Sequence, residues 1–228
     1  MASVGEVFDN LGGAGMIGAC LVLQPVLRTR YRRWGASDAE VAQQLPGDAR
    51  VPNASVVQTL AVTVHASAAE VWPWLAQIGQ ERGGLYSYAL LENFARCQIH
   101  NADRIVPEWE LQVGDRVRLG PPGYPVNVVA GVERNHWLLL GGADIKTAVL
   151  EPAPAPSQAS YTAYSWVFVL AAQPDGTTRL ITRTRLDYAP HTFGLMLTWE
   201  WLTDPIGFVM LRRMLLGIKA RAEQGGRV

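Results

Sequence analysis

Two tyrosines, Tyr86 and Tyr88, follow the double glycine Gly83-Gly84, where backbone freedom lets a loop close over a ligand. Their hydroxyls could bind a carbonyl or donate a proton to it. Arg183 and Arg185 fall at alternate positions of a strand-like run, and a guanidinium suits an anion or a developing oxyanion. Stronger signatures are missing: there is no G-x-S-x-G elbow, no H-E-x-x-H, no Walker loop and no Cys/His spacing for zinc. The histidines at 65, 100, 136 and 191 are scattered, and His100 with Asp103 reads as a surface pair. No metal and no cofactor are expected. Gly13-Ala14-Gly15-Met16-Ile17-Gly18 satisfies G-x-G-x-x-G, but no buried strand precedes it and no acidic strand end follows, so it does not read as a nucleotide site.

The elements that must position these residues begin with Val56 to Val64, where Leu60, Val62 and Val64 alternate with polar neighbours as in a half-buried strand. Ser67 and Glu70 fit a capping box that opens a helix carrying Trp72, Pro73, Trp74 and Leu75, and Pro73 predicts a bent or short helix. A second helix is expected from about Tyr88 to Ala95, capped by Ser87. Strands follow at 113–119, 126–133, 136–141, 161–171 and 178–186, the last two joined across Pro174-Asp175-Gly176, and residues 152–160 read as a mobile connection. Trp166, Phe168 and Leu170 should face one side of their strand. Arg183 and Arg185 share a face with Ile181 and Asp187, opposite Leu180, Thr182, Thr184 and Leu186. Facing inward they would need a carboxylate or an anionic ligand; the usual exposure of arginine favours an outward, solvated face. Near the C-terminus, Thr203 or Asp204 can cap a helix with Pro205 in its first turn, and Phe208, Leu211, Leu215, Ile218 and Ala222 form its apolar stripe. Residues 192–202, with Phe193, Met196, Trp199 and Trp201, are apolar nearly all round, which predicts burial in preference to a greasy lid at a cavity entrance.

Several motifs, in order, resemble one superfamily: the strand-to-helix unit at 56–75, Arg33-Trp34-Gly35-Ala36, Leu45-Pro46-Gly47-Asp48, Gly83-Gly84-Leu85-Tyr86-Ser87-Tyr88, Asn101-Ala102-Asp103-Arg104-Ile105, Val113-Gly114-Asp115, Ser165-Trp166 and Arg212 to Lys219. The chain is similar to the SRPBCC superfamily (START-like, Bet v 1-like, polyketide cyclase/dehydrase-like). The resemblance implies an α+β helix-grip fold, in which a curved antiparallel sheet wraps a long C-terminal helix around an apolar cavity. Its members include lipid carriers, receptors and cyclases, so it implies no single function. Related proteins tend to carry Trp and Asp where this chain has Leu85 and Ala89, which argues against an acid from this helix taking part.

At 228 residues and 49% hydrophobic, the chain suits one domain with an ample core. Lys plus Arg equals Asp plus Glu at 20 each, so no global field favours nucleic acid or an anionic membrane, and a small, greasy partner fits better. Cys20 and Cys97 are too few for a disulfide framework and fit a reducing compartment. Residues 11–27 are mostly apolar but hold four glycines, Gln24 and Pro25, short of the ~20 apolar residues of a spanning helix. Acidic residues before this segment and Arg28, Arg30, Arg32 and Arg33 after it oppose a signal peptide and put the domain on the cytoplasmic side, with attachment to the inner face of a membrane through 11–27 as an option. The expected layout is an N-terminal helical extension at 1–33, an arm at 34–55 and a helix-grip domain at 56–224. The expected function is binding of a lipid- or polyketide-like hydrophobic molecule, as carrier or sensor, with Trp74, Tyr86, Tyr88, Trp166, Phe168, Trp199 and Met210 as ligand contacts. The alternatives are a cyclase/aromatase or dehydratase using Tyr86, Tyr88, Arg183 or Arg185, and a membrane-tethered interaction module with a collapsed core. No oligomeric state follows from the pattern.

Overall fold

The computed structural model describes residues 4–142, 150 and 158–225, so most of the expected connection at 152–160 lies outside the described residues. Its centre is an antiparallel sheet of six strands: β1 (Val56–Val64), β2 (Arg116–Arg118), β3 (Val126–Glu133), β4 (Trp137–Gly142), β5 (Tyr161–Ala172) and β6 (Thr178–Ala189). Their spatial order is β1-β6-β5-β4-β3-β2. The long strands match the sequence reading closely, because period-two patterning and the Asp175-Gly176 turn define them; Gly176 takes the positive φ such a turn requires. The expected strand at 113–119 shrinks to three residues.

Helices α1 (Val4–Val22) and α2 (Gln24–Tyr31) precede a short α3 (Asp38–Ala42), capped by Ser37 and Glu40. Helix α4 (Ala68–Ala76) begins at the Ser67/Glu70 cap, where the Glu70 carboxylate accepts from both the amide and the hydroxyl of Ser67. Pro73 lies inside this helix, which stays short, at nine residues. Helix α5 (Ala89–Phe94) follows.

The C-terminal helix begins at Asp204 with Pro205 in its first turn, as expected, but Thr203 and Asp204 do not cap a free end, because helical chain already precedes them. Thr192 caps α6 (Phe193–Met196), the chain continues through a wide π turn at Leu197–Thr203, and only then does α7 (Asp204–Gly225) begin. Burial of residues 192–202 is also corrected, since Phe193, Leu197, Trp201 and Leu202 are exposed. The stripe from Phe208 to Ala222 is buried as expected, and α7 packs against β1 and α4. Sheet, α4 and α7 share one continuous core. This is the α+β helix-grip arrangement that the motifs imply.

The N-terminal residues close two open surfaces of the sheet. β1 is an edge strand, and backbone bonds from Thr59 N–H to Arg32 O and from Ala61 N–H to Trp34 O cover its free side. The arm at 34–55 then crosses the face that points away from α7, and β6 holds it there through arginines. Arg179 pairs with Glu40. Arg183 donates to Asp48 at 2.7 Å, to Thr59 and to the carbonyls of Glu40, Val41 and Gln43, while Arg185 donates to the carbonyls of Val51 and Pro52. The outward face of β6 is therefore the correct one, but it is not solvated: Arg183 is 3% exposed.

Candidate functional site

Between the inner face of the sheet and α7 lies a cavity of about 230 Å³. Adjacent inward positions of three strands build one wall: Val56 and Gln58 on β1, Thr184 and Leu186 on β6, Tyr164 and Trp166 on β5. Register explains the match, because Gln58 pairs with Thr184, which pairs with Trp166 across the sheet. α7 supplies Gly207, Met210, Leu211 and Met214 to the opposite wall, and Trp199 and Thr203 come from the wide turn at one end. Leu85, Ser87, Glu92, Leu119 and Asp204 complete the lining.

The sheet wall is fixed by hydrogen bonds that leave little polar surface free. The Trp166 indole N–H donates to Thr182 Oγ1 at 2.9 Å, and that hydroxyl donates to Val167 O. Gln58 donates to the backbone and side chain of Asp204, whose other carboxylate oxygen accepts from Tyr31 and Arg32. Asp204 thus joins α2, β1 and the start of α7 at the cavity rim. Glu200 does the same one turn earlier: it takes the Arg28 guanidinium and the Tyr188 hydroxyl on its carboxylate and Gln24 on its carbonyl.

The loop before α5 is held from outside the cavity. Asn101 Oδ1 accepts from the amides of Leu85 and Tyr86, and its Nδ2 donates to Ser87 O. Gly84 has a φ of +78°, and a Cβ there would lie 2.6 Å from Asn101 Oδ1, so the close approach requires glycine. Two motifs that are distant in sequence, Gly83 to Tyr88 and Asn101 to Ile105, therefore form one clamp. Ser87 does not cap α5; its hydroxyl donates to Met210 O at 3.0 Å, tying the loop to α7. The α5 cap comes from α1, where Asn10 Oδ1 accepts from the amides of Leu90 and Leu91.

Of the residues singled out in the sequence, Trp166, Trp199 and Met210 come together on this cavity. Phe168 lies beside Trp166, with ring centroids 4.8 Å apart, but is fully buried in the core behind it. Trp74 packs edge-on against Tyr86 in that same core. Tyr86 and Tyr88 are not among the lining residues. The Tyr86 hydroxyl accepts from Gln77, its ring lies under the Arg221 guanidinium, and burial pushes its pKa up to about 12. Tyr88 lies beneath α1, its ring against Gly13, with Arg213 over its face. The G-x-G-x-x-G run is part of the α1 helix, and its first glycine makes room for that ring. Arg183 and Arg185 point to the opposite side of the sheet and hold the arm. None of the four catalytic candidates reaches the cavity.

The sequence reading missed Glu92. Although Ala89 stands where an acid was looked for, α5 presents an acid three residues on. Glu92 is 7% exposed, lines the cavity and has one carboxylate oxygen wholly shielded from solvent with no hydrogen-bond partner. Burial raises its pKa to about 7. Its spacing four residues after Tyr88, on the same helical face as that buried ring, was the one signal available. The Trp199 indole N–H is likewise buried without a partner, and burial raises the pKa of the Tyr164 hydroxyl. Among the described residues no group of His, Cys, Asp and Glu is arranged to hold a metal ion.

No family model matches the chain, and no curated protein matches it. Among solved structures it is similar to a protein from Nitrosospira multiformis at 14% identity, covering 76% of this chain and 100% of that one with a TM-score of 0.43. A protein from Nitrosomonas europaea matches at 16% identity over 79% of this chain and 99% of its own, with a TM-score of 0.42. A norcoclaurine synthase point mutant from Thalictrum flavum, in complex with a transition state analogue, matches at 14% identity over 75% and 96%, with a TM-score of 0.41.

Proposed function

We propose that this protein binds a hydrophobic small molecule in the cavity between the sheet and α7, as a carrier or sensor. The observation that supports this best is the wall itself: Trp166, Leu186, Met210, Leu211 and Met214 surround open space where a collapsed core would have closed. At about 230 Å³ it lies just under the 300–1,000 Å³ of typical small-molecule sites, which favours a compact ligand over a full-length lipid. Native mass spectrometry of freshly purified protein, followed by denaturation, tests this. One released hydrophobic molecule per chain is the expected result; a clean apo mass, together with no shift in tryptophan fluorescence on titration with butylbenzene, would overturn it. Turnover of the cyclase or dehydratase kind is the second reading, and the unpartnered Glu92 carboxyl is what favours it, as a group able to move a proton inside a mostly apolar cavity.

A lipid surface is the proposed location. Val4, Phe8, Leu11 and Val22 recur at helical spacing along the outward side of α1, opposite buried Asn10, Gly13 and Cys20, and Leu23 and Val26 continue this exposed apolar surface. No single helix among the described residues is long and apolar enough to cross a membrane, and α1 and α2 meet at 114°. An interfacial helix, with Arg30 exposed beyond it towards anionic headgroups, fits better than a span. Co-sedimentation with anionic phospholipid vesicles should be lost in Leu11→Asp. Equal sedimentation of both proteins would sink the idea, as would concentration-dependent dimerisation that Leu11→Asp abolishes.

A further inference from the structure

Glu92 is costly to the fold, because one oxygen of its carboxyl is buried without a partner. A buried carboxyl without a hydrogen bond lowers stability, and buried polar groups in folded proteins are nearly always partnered. The backbone around it is tightly placed: its amide donates to Tyr88 O, its carbonyl accepts from the Cys97 amide, and Asn10 holds the start of its helix. The side chain is therefore directed to the cavity by an ordered helix and left unpaired there.

The rest of the lining says what the missing partner is. Among the described residues around the cavity none is basic, and its other acid, Asp204, is already taken by Tyr31, Arg32 and Gln58. Three aromatic residues, Tyr164, Trp166 and Trp199, line the same space, and aromatic rings attract cations. An anionic ligand would meet an uncompensated acid, and a plain hydrocarbon would leave the carboxyl unsatisfied. Resting on the reading of this cavity as a ligand site, we propose that its ligand is a hydrophobic amine, with Glu92 taking the ammonium and the Trp166 and Met210 walls taking the apolar body.

Four probes on one skeleton test this: 4-phenylbutylamine, butylbenzene, 4-phenylbutyrate and 4-phenyl-2-butanone, titrated into the full chain against intrinsic tryptophan fluorescence, to which Trp166 and Trp199 contribute from the cavity wall. The amine should bind about tenfold or more tighter than butylbenzene, the worth of a charge-assisted hydrogen bond, and the carboxylate weakest. Glu92→Gln should remove the amine's advantage and leave butylbenzene binding intact, a result that also shows the variant folded. Equal affinity for amine and butylbenzene would overturn the proposal while leaving the cavity reading in place, as would an amine preference that persists in Glu92→Gln. A preference for the ketone over the amine would do so too, by making Glu92 a neutral donor. If none of the four binds, the cavity reading falls first and this one with it.

Discussion

The Leu90 amide donates to Oδ1 of Asn10 over 3.1 Å, across eighty positions of sequence, and the Leu91 amide shares the same acceptor at 3.2 Å. A helix of the N-terminal extension thus caps the helix that carries Glu92. Asn10→Ala removes an acceptor from two amides at once, and the loss should be about 1–2 kcal/mol by urea denaturation, the range of an N-cap. Hydrogen exchange should quicken at residues 90–94 before it does in the sheet. Unchanged protection there would show that α5 is held by packing alone.

Arg183 separates a structural arginine from a catalytic one. Replacing it with Met leaves Asp48 and the carbonyls of Glu40, Val41 and Gln43 facing an apolar stem. Breaking such a buried pair should cost about 3–5 kcal/mol, visible as a lower urea midpoint. Binding of butylbenzene by the folded fraction should be unaffected, because this side chain is on the far side of the sheet. Loss of binding without loss of stability would restore it to the site.

The pH dependence of stability carries the signature of Glu92. Its carboxyl titrates near 4.5 when unfolded and near 7 when folded, so the folded protein holds the extra proton between those values. Stability from this group is full below pH 4.5 and declines as pH rises to 7, by about 3 kcal/mol in total. Glu92→Gln should flatten that decline and raise the melting temperature at neutral pH relative to the parent. Identical slopes in the two proteins would mean that the carboxyl is hydrated after all.

Gly207 offers a way to fill the cavity without disturbing the fold. It lines the cavity from within α7, and a Cβ added there would meet nothing within 4 Å. Gly207→Leu should hold or raise stability, since Gly costs about 1 kcal/mol in a helix interior. It should also abolish ligand uptake in native mass spectra. Undiminished uptake by a stable variant would move the binding site elsewhere.

The sheet was legible because alternation and turn residues are local: Val56 to Val64 and the Asp175-Gly176 turn need no knowledge of their neighbours. The stripe on α7 was legible for the same reason. Residues 192–202 were misjudged because apolar composition alone predicts burial, whereas Gln24 and Arg28 anchor this segment through Glu200 at the cavity rim. Tyr86 and Tyr88 were plausible site residues by type, yet the Asn101 clamp and the α1 helix turn them into the core. Glu92 was hidden because its burial depends on α1, a contact made across the whole N-terminal third.

The arm has an electrostatic consequence of its own. Glu40 and Asp48, with a row of backbone carbonyls, answer Arg179, Arg183 and Arg185 much as a strand of phosphates would. The protein carries its own cover for these arginines, two carboxylates and a row of carbonyls folded back over the sheet. A fragment beginning at Val56 would uncover that cationic ridge, and any salt-sensitive attraction it then showed for DNA or heparin would reflect the exposed ridge and not a property of the intact chain.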